Sequence, residues 1–300
     1  MSIGLPISPL GSGPALANVA SMTNDWLERR VLNYAHQGGA KEAPSSTLHA
    51  FRRACANGAH ALEMDVHCTA DGVLVVCHDS TVDRTTPGSG RIADLTMADL
   101  AQLDNAHWWV PGYAASTDHL PDAYELRGRA PADPAFGIAE LGDVLDEFRS
   151  VYLNLDIKGI PPQVAPYEDK LADILRQYER THDVIVASFH DEALHRFRDL
   201  APEVATSLGM MESINAGRVL RSGNRLERSE NQVALQVPHR LHGVEVIDGS
   251  LVSSAHASGL AVHVWTIDDP DEMAELLDLG VDAIITDVPS ALHAVLAARC

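Results

Sequence analysis

From Val31 onward the chain alternates between two hydrophobic periods. Short runs rich in β-branched residues, in which every second side chain faces one way, are separated by stretches whose apolar residues recur at three and four. The first kind predicts strands at 31–35, 61–67, 73–77, 151–157, 184–188, 204–208, 233–237, 243–247, 261–266 and 283–286. The second predicts helices through Leu48, Phe51, Ala54 and Cys55 and through Leu171, Ile174, Leu175 and Tyr178. A third helix is marked at both ends: Asp269 caps it, Pro270 opens its first turn, Met273, Leu276 and Leu277 share a face, and Gly280 stops it. Strand followed by helix, repeated along the chain, is the pattern of a parallel sheet wrapped in helices. The expected class is α/β, a (β/α)8 barrel carrying extra strands.

The alternation breaks at about 83–137, a segment of Pro, Gly and aromatic residues too long for an ordinary connection. Long loops on such scaffolds tend to carry function. The expected organisation is an N-terminal tail or arm at 1–27 and a single domain at 28–300 bearing that insertion. Residues 1–22 are rich in Gly, Pro, Ser and Ala and lack the basic start and compact apolar run of a secretory signal.

Composition narrows the classes. The formal net charge of -20 disfavours nucleic acid and anionic bilayers as long-range partners, but leaves room for a small anionic substrate held through a cation. No stretch approaches the ~18 apolar residues of a membrane span. The four cysteines fall singly, which predicts neither a zinc ribbon nor a disulfide framework. A cytoplasmic setting is the expectation, and the oligomeric state stays open.

Candidate chemistry lies at strand ends, where barrels of this kind place their active sites. In the run from Leu62 to Val66, alternation sends Leu62, Met64 and Val66 to one face and Glu63 and Asp65 to the other. Two carboxylates a strand step apart repel, and burying them without a counter-charge costs several kcal/mol, so a hard divalent cation accounts for them; an exposed polar edge is the plainer explanation. The same alternation groups Asn154, Asp156 and Lys158. All-oxygen ligation fits Mg2+ or Ca2+ better than zinc. Lys158 then answers a phosphate oxygen or simply pairs with Asp156. His36 ends the first strand and His78 a later one, so the two imidazoles can act as base and acid near neutral pH.

Taken together, Tyr34-Ala35-His36-Gln37-Gly38-Gly39, Leu62-Glu63-Met64-Asp65-Val66, Thr69-Ala70-Asp71-Gly72, His78-Asp79 and Leu153-Asn154-Leu155-Asp156-Ile157-Lys158 resemble the glycerophosphodiester phosphodiesterase family in order and spacing. Val264-Trp265-Thr266 and the run from Gly280 to Asp287 are similar to its closing barrel strands. The resemblance implies a (β/α)8 barrel that hydrolyses glycerophosphodiesters to glycerol 3-phosphate and an alcohol. It implies a divalent metal, Mg2+ or Ca2+, on Glu63, Asp65 and Asp156, with His36 and His78 as the catalytic pair; we give His36 the base role. Lys158 and Gln37 occupy phosphate-contact positions, and Trp265 a position that walls the pocket. Two departures stand out: Gln37 and Ser45 replace an Arg and a Glu of the family pattern, and Glu42 and Arg84 are candidates to substitute. A lysophospholipase D or sphingomyelinase-D-like lipid enzyme, and an inactive phosphodiester-binding protein, are the alternatives on the same fold.

Two further features call for structural placement. The run from His107 to Tyr113 offers Trp108 and Trp109 either to a choline-like cation or acyl chain, or to a cap packing on itself. Arg218, Arg221, Arg225 and Arg228 repeat at helical spacing, which predicts a basic face, solvated or set against a lipid surface, and leaves peripheral membrane contact open.

Overall fold

A computed structural model describes Asn24, Trp26, Leu27 and residues 31–299 of the chain; the rest of the expected tail at 1–27 lies outside the described residues. Eight parallel strands close into a barrel: β1 (Leu32–His36), β2 (Ala61–Cys68), β4 (Tyr152–Ile157), β5 (Val184–Ala187), β6 (Ala205–Ser207), β7 (Gln232–Pro238), β10 (Ala261–Trp265) and β11 (Ala283–Thr286). β1 pairs with both β11 and β2, which shuts the ring. β3 (Leu74–Val76) adds antiparallel to the far part of β2, which accounts for one of the extra strands in the sequence reading.

Each barrel strand leads to a helix on the outside: α1 (Leu48–Ala56), α3 (Leu141–Glu147), α4 (Glu168–Gln177), α5 (Asp191–Leu200), α6 (Met210–Arg221), α7 (Gly249–Ala257), α8 (Pro270–Leu279) and α9 (Pro289–Ala297). The short α2 (Met97–Leu100) lies in the insertion. α8 follows its sequence signals, with the Asp269 carboxylate accepting from the N–H groups of Asp271 and Glu272 and Gly280 ending the helix at φ 87°.

Strand alternation separates two cores. Outward side chains such as Leu62, Met64, Leu153, Leu155 and Val186 pack against the helices. Inward ones at the start of the strands, including Leu32, Tyr34, Ala61, Ile185 and Ala283, form a buried plug with Trp26. Asn24 closes this end by donating to the carbonyls of Val233 and Gly259, each at 2.8 Å.

Two expectations are corrected. The run 243–247 is no barrel strand: β8 (Arg240–Leu241) and β9 (Val244–Glu245) form a two-residue antiparallel hairpin. His242 and Gly243, at φ 50° and 79°, turn the chain there, and both strands are exposed, so no buried face extends them. The four arginines do not share a helix face, because α6 ends at Arg221 and Gly223 follows at φ 75°. Arg228 instead donates to the carbonyls of Ser258, Ser229, Glu230 and Gln232.

The aromatic run in the insertion turns inward. Trp109 is buried with its indole N–H on the Ala40 carbonyl at 3.0 Å, and Trp108 donates to the Thr86 carbonyl at 2.9 Å. Arg127 lies over the rings of Trp108 and Tyr124, so these aromatic faces are occupied by the protein itself. Two small cores, around Val82, Ile92 and Leu100 and around Ala106, Ala135 and Phe136, hold the segment to the barrel.

Candidate active site

The inward side chains change character toward the C-terminal ends of the strands. β1 presents His36, β2 presents Glu63 and Asp65, and β4 presents Asn154 and Asp156. Register places them in rows, with His36 beside Glu63, Glu63 beside Asn154, and Asp65 beside Asp156. The order β1–β2–β4 thus gathers residues that lie far apart in the chain. Lys158 follows β4, where the Tyr167 hydroxyl donates to the Val66 carbonyl at 2.7 Å and accepts from the N–H groups of Lys158 and Gly159. That phenol pins the backbone just beyond the strand.

The turn after β1 is tight. Gln37, Gly38 and Gly39 take φ of 51°, 84° and 86°, a run that only glycines accept without strain at the two later positions. A Cβ on Gly38 would also meet the Ala50 Cβ at 2.8 Å. The turn aims the Gln37 N–H at Glu63 Oε2, 3.1 Å away, and brings Gln37 Nε2 within 3.2 Å of His36 Nε2.

His36, Glu63, Asp65, His78, Asp156, Lys158 and Trp265 all line one cavity of about 430 Å3 at the mouth of the barrel. The imidazole rings of His36 and His78 stand 6.4 Å apart at nearly right angles. Each has its Nδ1 on a carboxylate at 2.6 Å, His36 on Asp287 and His78 on Asp79. Asp287 is fixed in turn: its N–H and the Thr286 hydroxyl donate to Asp268, whose other oxygen pairs with Lys41 at 2.7 Å. Arg84 grips Asp79 through two nitrogens, at 2.6 and 3.2 Å. The Lys158 ammonium lies between Asp65 at 2.8 Å and Asp156 at 2.9 Å, an ion pair with both carboxylates and not with Asp156 alone.

Burial, reinforced by the Asp65 charge, raises the Glu63 carboxyl well above the carboxylate range against the pull of His36 and Lys158. Burial raises Asp156 too, in spite of Lys158. Burial by itself would lower His36, but Glu63, Asp287 and Asp65 outweigh it and lift the imidazole to about 9. Asp156 and Asp65 overcome burial at Lys158 and hold its ammonium charged. Asp79, hydrogen-bonded to His78 and Arg84, lies far below its ordinary value.

Several groups in or behind the pocket carried no role in the sequence reading. Asp287 follows the last barrel strand, the same strand-end signal that marked His36 and His78. Gln236 points inward by alternation on β7 and donates to Asn154 at 2.7 Å. Phe189, edge-on to Trp265 at 5.6 Å, sits on the loop after β5, where no periodicity foretells orientation. Glu42 does not enter the cavity; its carboxylate accepts from Asn57 and Ser290. Arg84 reaches His78 only through Asp79.

A (β/α)8 barrel with two carboxylate-braced histidines facing acids and a lysine at its C-terminal mouth defines a barrel enzyme equipped for acid–base chemistry on an anion. Residues 36–291 match the model of the glycerophosphoryl diester phosphodiesterase family, and the chain belongs to that family. It is therefore a phosphodiesterase, a hydrolase whose relatives act on glycerophosphodiesters. The glycerophosphodiester phosphodiesterase of Caldanaerobacter subterraneus is 30% identical over 88% of this chain and 96% of its own. That of Bacillus subtilis is 27% identical over 93% and 90%. Among solved structures, an Oleispira antarctica phosphodiesterase in complex with the product sn-glycerol-3-phosphate superposes with a TM-score of 0.66 at 23% identity, covering 88% of this chain and 96% of that one. It attests the fold. Among the described residues no helix is long and apolar enough to cross a membrane.

Proposed function

We propose that this chain hydrolyses glycerophosphodiesters to glycerol 3-phosphate and an alcohol. In this reading His36 and His78 are the proton-transfer pair, Glu63, Asp65 and Asp156 hold a divalent cation, Mg2+ or Ca2+, and Lys158 and Gln37 contact phosphate. The observation that carries it is the sharing of one cavity by both braced histidines, the three acids and Lys158. The glycerol 3-phosphate in the Oleispira antarctica structure supports the choice of product.

The donors fit a hard cation in kind. Asp65 Oδ2 and Asp156 Oδ1 are buried without a hydrogen-bond partner, as is Gln37 Oε1. Three carboxylates are buried side by side, and burial together with the Asp65 charge raises Glu63 and Asp156. They do not form a preassembled cage: among the described residues no cluster of three or more His, Cys, Asp or Glu has metal-site spacing, and Lys158 lies between two of the acids. When bound, the cation neutralises charge on the phosphoryl oxygens.

The protein's own groups account for the rest. Asp287 and Asp79 hold the Nδ1 side of the two rings, which leaves His78 Nε2 for the substrate and His36 Nε2 beside Gln37 Nε2. One imidazole takes a proton from the nucleophile, water or the neighbouring glycerol hydroxyl, and the other returns one to the departing alkoxide, together worth about 10²–10⁴ in rate. Our sequence reading gave His36 the base role; the carboxylates around it favour its protonated form, whereas a cation on Glu63 and Asp65 opposes that, so the two histidines are assigned as a pair. Trp265 walls the cavity beside Phe189.

The test incubates the protein with glycerophosphocholine, with and without a chelator, and identifies the products. Glycerol 3-phosphate and choline are expected, with loss of turnover in chelator. Turnover that survives exhaustive chelation removes the metal role, and tight binding with no turnover removes the enzymatic one.

A further inference from the structure

A lysine near the surface of an acidic protein is ordinarily a solvated side chain, and an ion pair at its tip contributes little to stability. Lys41 departs from that pattern because all three of its polar groups are engaged between loops. Its N–H donates to the Asp287 carbonyl at 3.2 Å, and its carbonyl accepts from the Gly112 N–H at 2.8 Å. Its half-buried ammonium pairs with Asp268 Oδ2 at 2.7 Å. The other oxygen of Asp268 accepts from the Asp287 N–H at 2.8 Å and the Thr286 hydroxyl at 3.0 Å, and the Asp287 carboxylate lies on His36 Nδ1 at 2.6 Å. The loops after β1, β10 and β11 thus meet at Asp268, one carboxylate away from the ring of His36.

Asp268 and Asp287 are like charges in neighbouring loops, and such a pair holds its place only while a cation answers it. Lys41 does so: its hydrogen bond with Asp268, with the Asp287 charge behind it, keeps the ammonium more firmly charged than an ordinary lysine against the burial that opposes it. The turn that carries Lys41 is held in its own right. On the inside the Gly39 N–H donates to the His36 carbonyl at 2.8 Å, and on the outside the Trp109 indole donates to the Ala40 carbonyl at 3.0 Å, next to the Gly112 contact. The aromatic run of the insertion is the outer stop of an arm whose inner end is His36.

We propose that Lys41 is a positioning residue for the reaction: seated by the insertion, it fixes the direction of the His36 ring through Asp268 and Asp287. The inference rests on the phosphodiesterase reading and gives the insertion a part in it.

The experiment has a spectroscopic and a kinetic arm. In substrate-free protein the His36 Nδ1 proton, held on a carboxylate, gives a downfield proton resonance that is identified by its loss in His36→Asn. Lys41→Met is expected to move or broaden that resonance and to lower kcat for glycerophosphocholine roughly tenfold, with KM within about twofold of native and the melting curve unchanged. Lys41→Arg keeps the charge at a single-point contact and restores both signals in large part. Lys41→Met/Asp268→Asn, which removes both charges, falls no further than Lys41→Met, since no carboxylate is left unpaired beside Asp287. Trp109→Phe, which removes only the indole donor, lowers kcat by a smaller factor with KM unchanged. An unmoved resonance in Lys41→Met overturns the proposal, as does a loss carried by KM or one that Lys41→Arg fails to restore. The resonance is read without substrate, so the two readings fail separately: a native protein inert toward glycerophosphocholine sinks the phosphodiesterase reading, while the resonance still decides whether Lys41 sets His36.

Discussion

The two ends of the barrel interior are built from the same strands by the same alternation, yet they do opposite work. On β1 the inward residues run Leu32, Tyr34, His36; on β2, Ala61, Glu63, Asp65; on β4, Tyr152, Asn154, Asp156. A rise of ~7 Å per two residues thus leads from a close-packed apolar plug to a cluster of coupled charges. At the lower end Trp26 stands edge-on to Tyr152 and Asn24 closes the base. The upper end leaves buried carboxylate oxygens without partners and carboxyls displaced from their ordinary ionisation. In the proposed reading stability resides below and reactivity above, with the unsatisfied groups completed by a ligand.

The sharpest way to break that comparison is at the histidines. His78→Ala is expected to lower kcat by about 10²–10⁴ with little change in the melting curve, because the ring is partly exposed and packs against no core; a variant with native turnover removes His78 from the reaction. At the other end, Leu32→Ala opens a cavity in the plug and is expected to destabilise the fold by about 2–5 kcal/mol while leaving kcat near native. Denaturant unfolding together with steady-state rates checks this, and a loss of turnover in the still-folded variant would mean the ends are coupled.

Asp287→Asn sharpens the role of the mouth. It keeps the shape beside His36 Nδ1 but removes the charge, and kcat is expected to fall by roughly 10–100-fold with KM little changed. A change confined to KM, or no change, assigns Asp287 to structure only. The smallest effect is on stability. The folded-state Glu63 carboxyl is raised, so its favourable contribution is complete below the ordinary carboxylate range and is lost as pH rises toward the folded-state value. Glu63→Gln in chelator is therefore expected to be more stable than the native protein at neutral pH by about 1–3 kcal/mol and to flatten the decline with pH. Thermal melts across that pH range decide it, and a less stable variant would contradict the charge imbalance.

How much of this was legible beforehand follows from the range of the forces involved. Strand period and helix period are local, so β1, β2, β4, β10 and β11 and the helix from Pro270 to Leu279 could be read from adjacent residues. Alternation within a strand also put Glu63 with Asp65 and Asn154 with Asp156. The hairpin at 240–245 misled because a short apolar run looks the same whether or not a partner strand exists. The arginine row misled because spacing carries meaning only while the helix lasts, and Gly223 ends it. The tryptophans of the insertion were ambiguous because an aromatic face serves a ligand or a neighbouring loop equally well, and only the Ala40 and Thr86 carbonyls decide which.

By itself the amino-acid sequence determined the alternating architecture, the inward direction of the acids and the position of His36 and His78 at strand ends, because each depends on backbone geometry over a few residues. Only the tertiary structure decided that β2 lies between β1 and β4, and so that Asp65 and Asp156 share Lys158, and that Asp287 returns from the far end of the chain to brace His36. Those are contacts across ring closure, and their energies exist only once the barrel has brought distant strands into register.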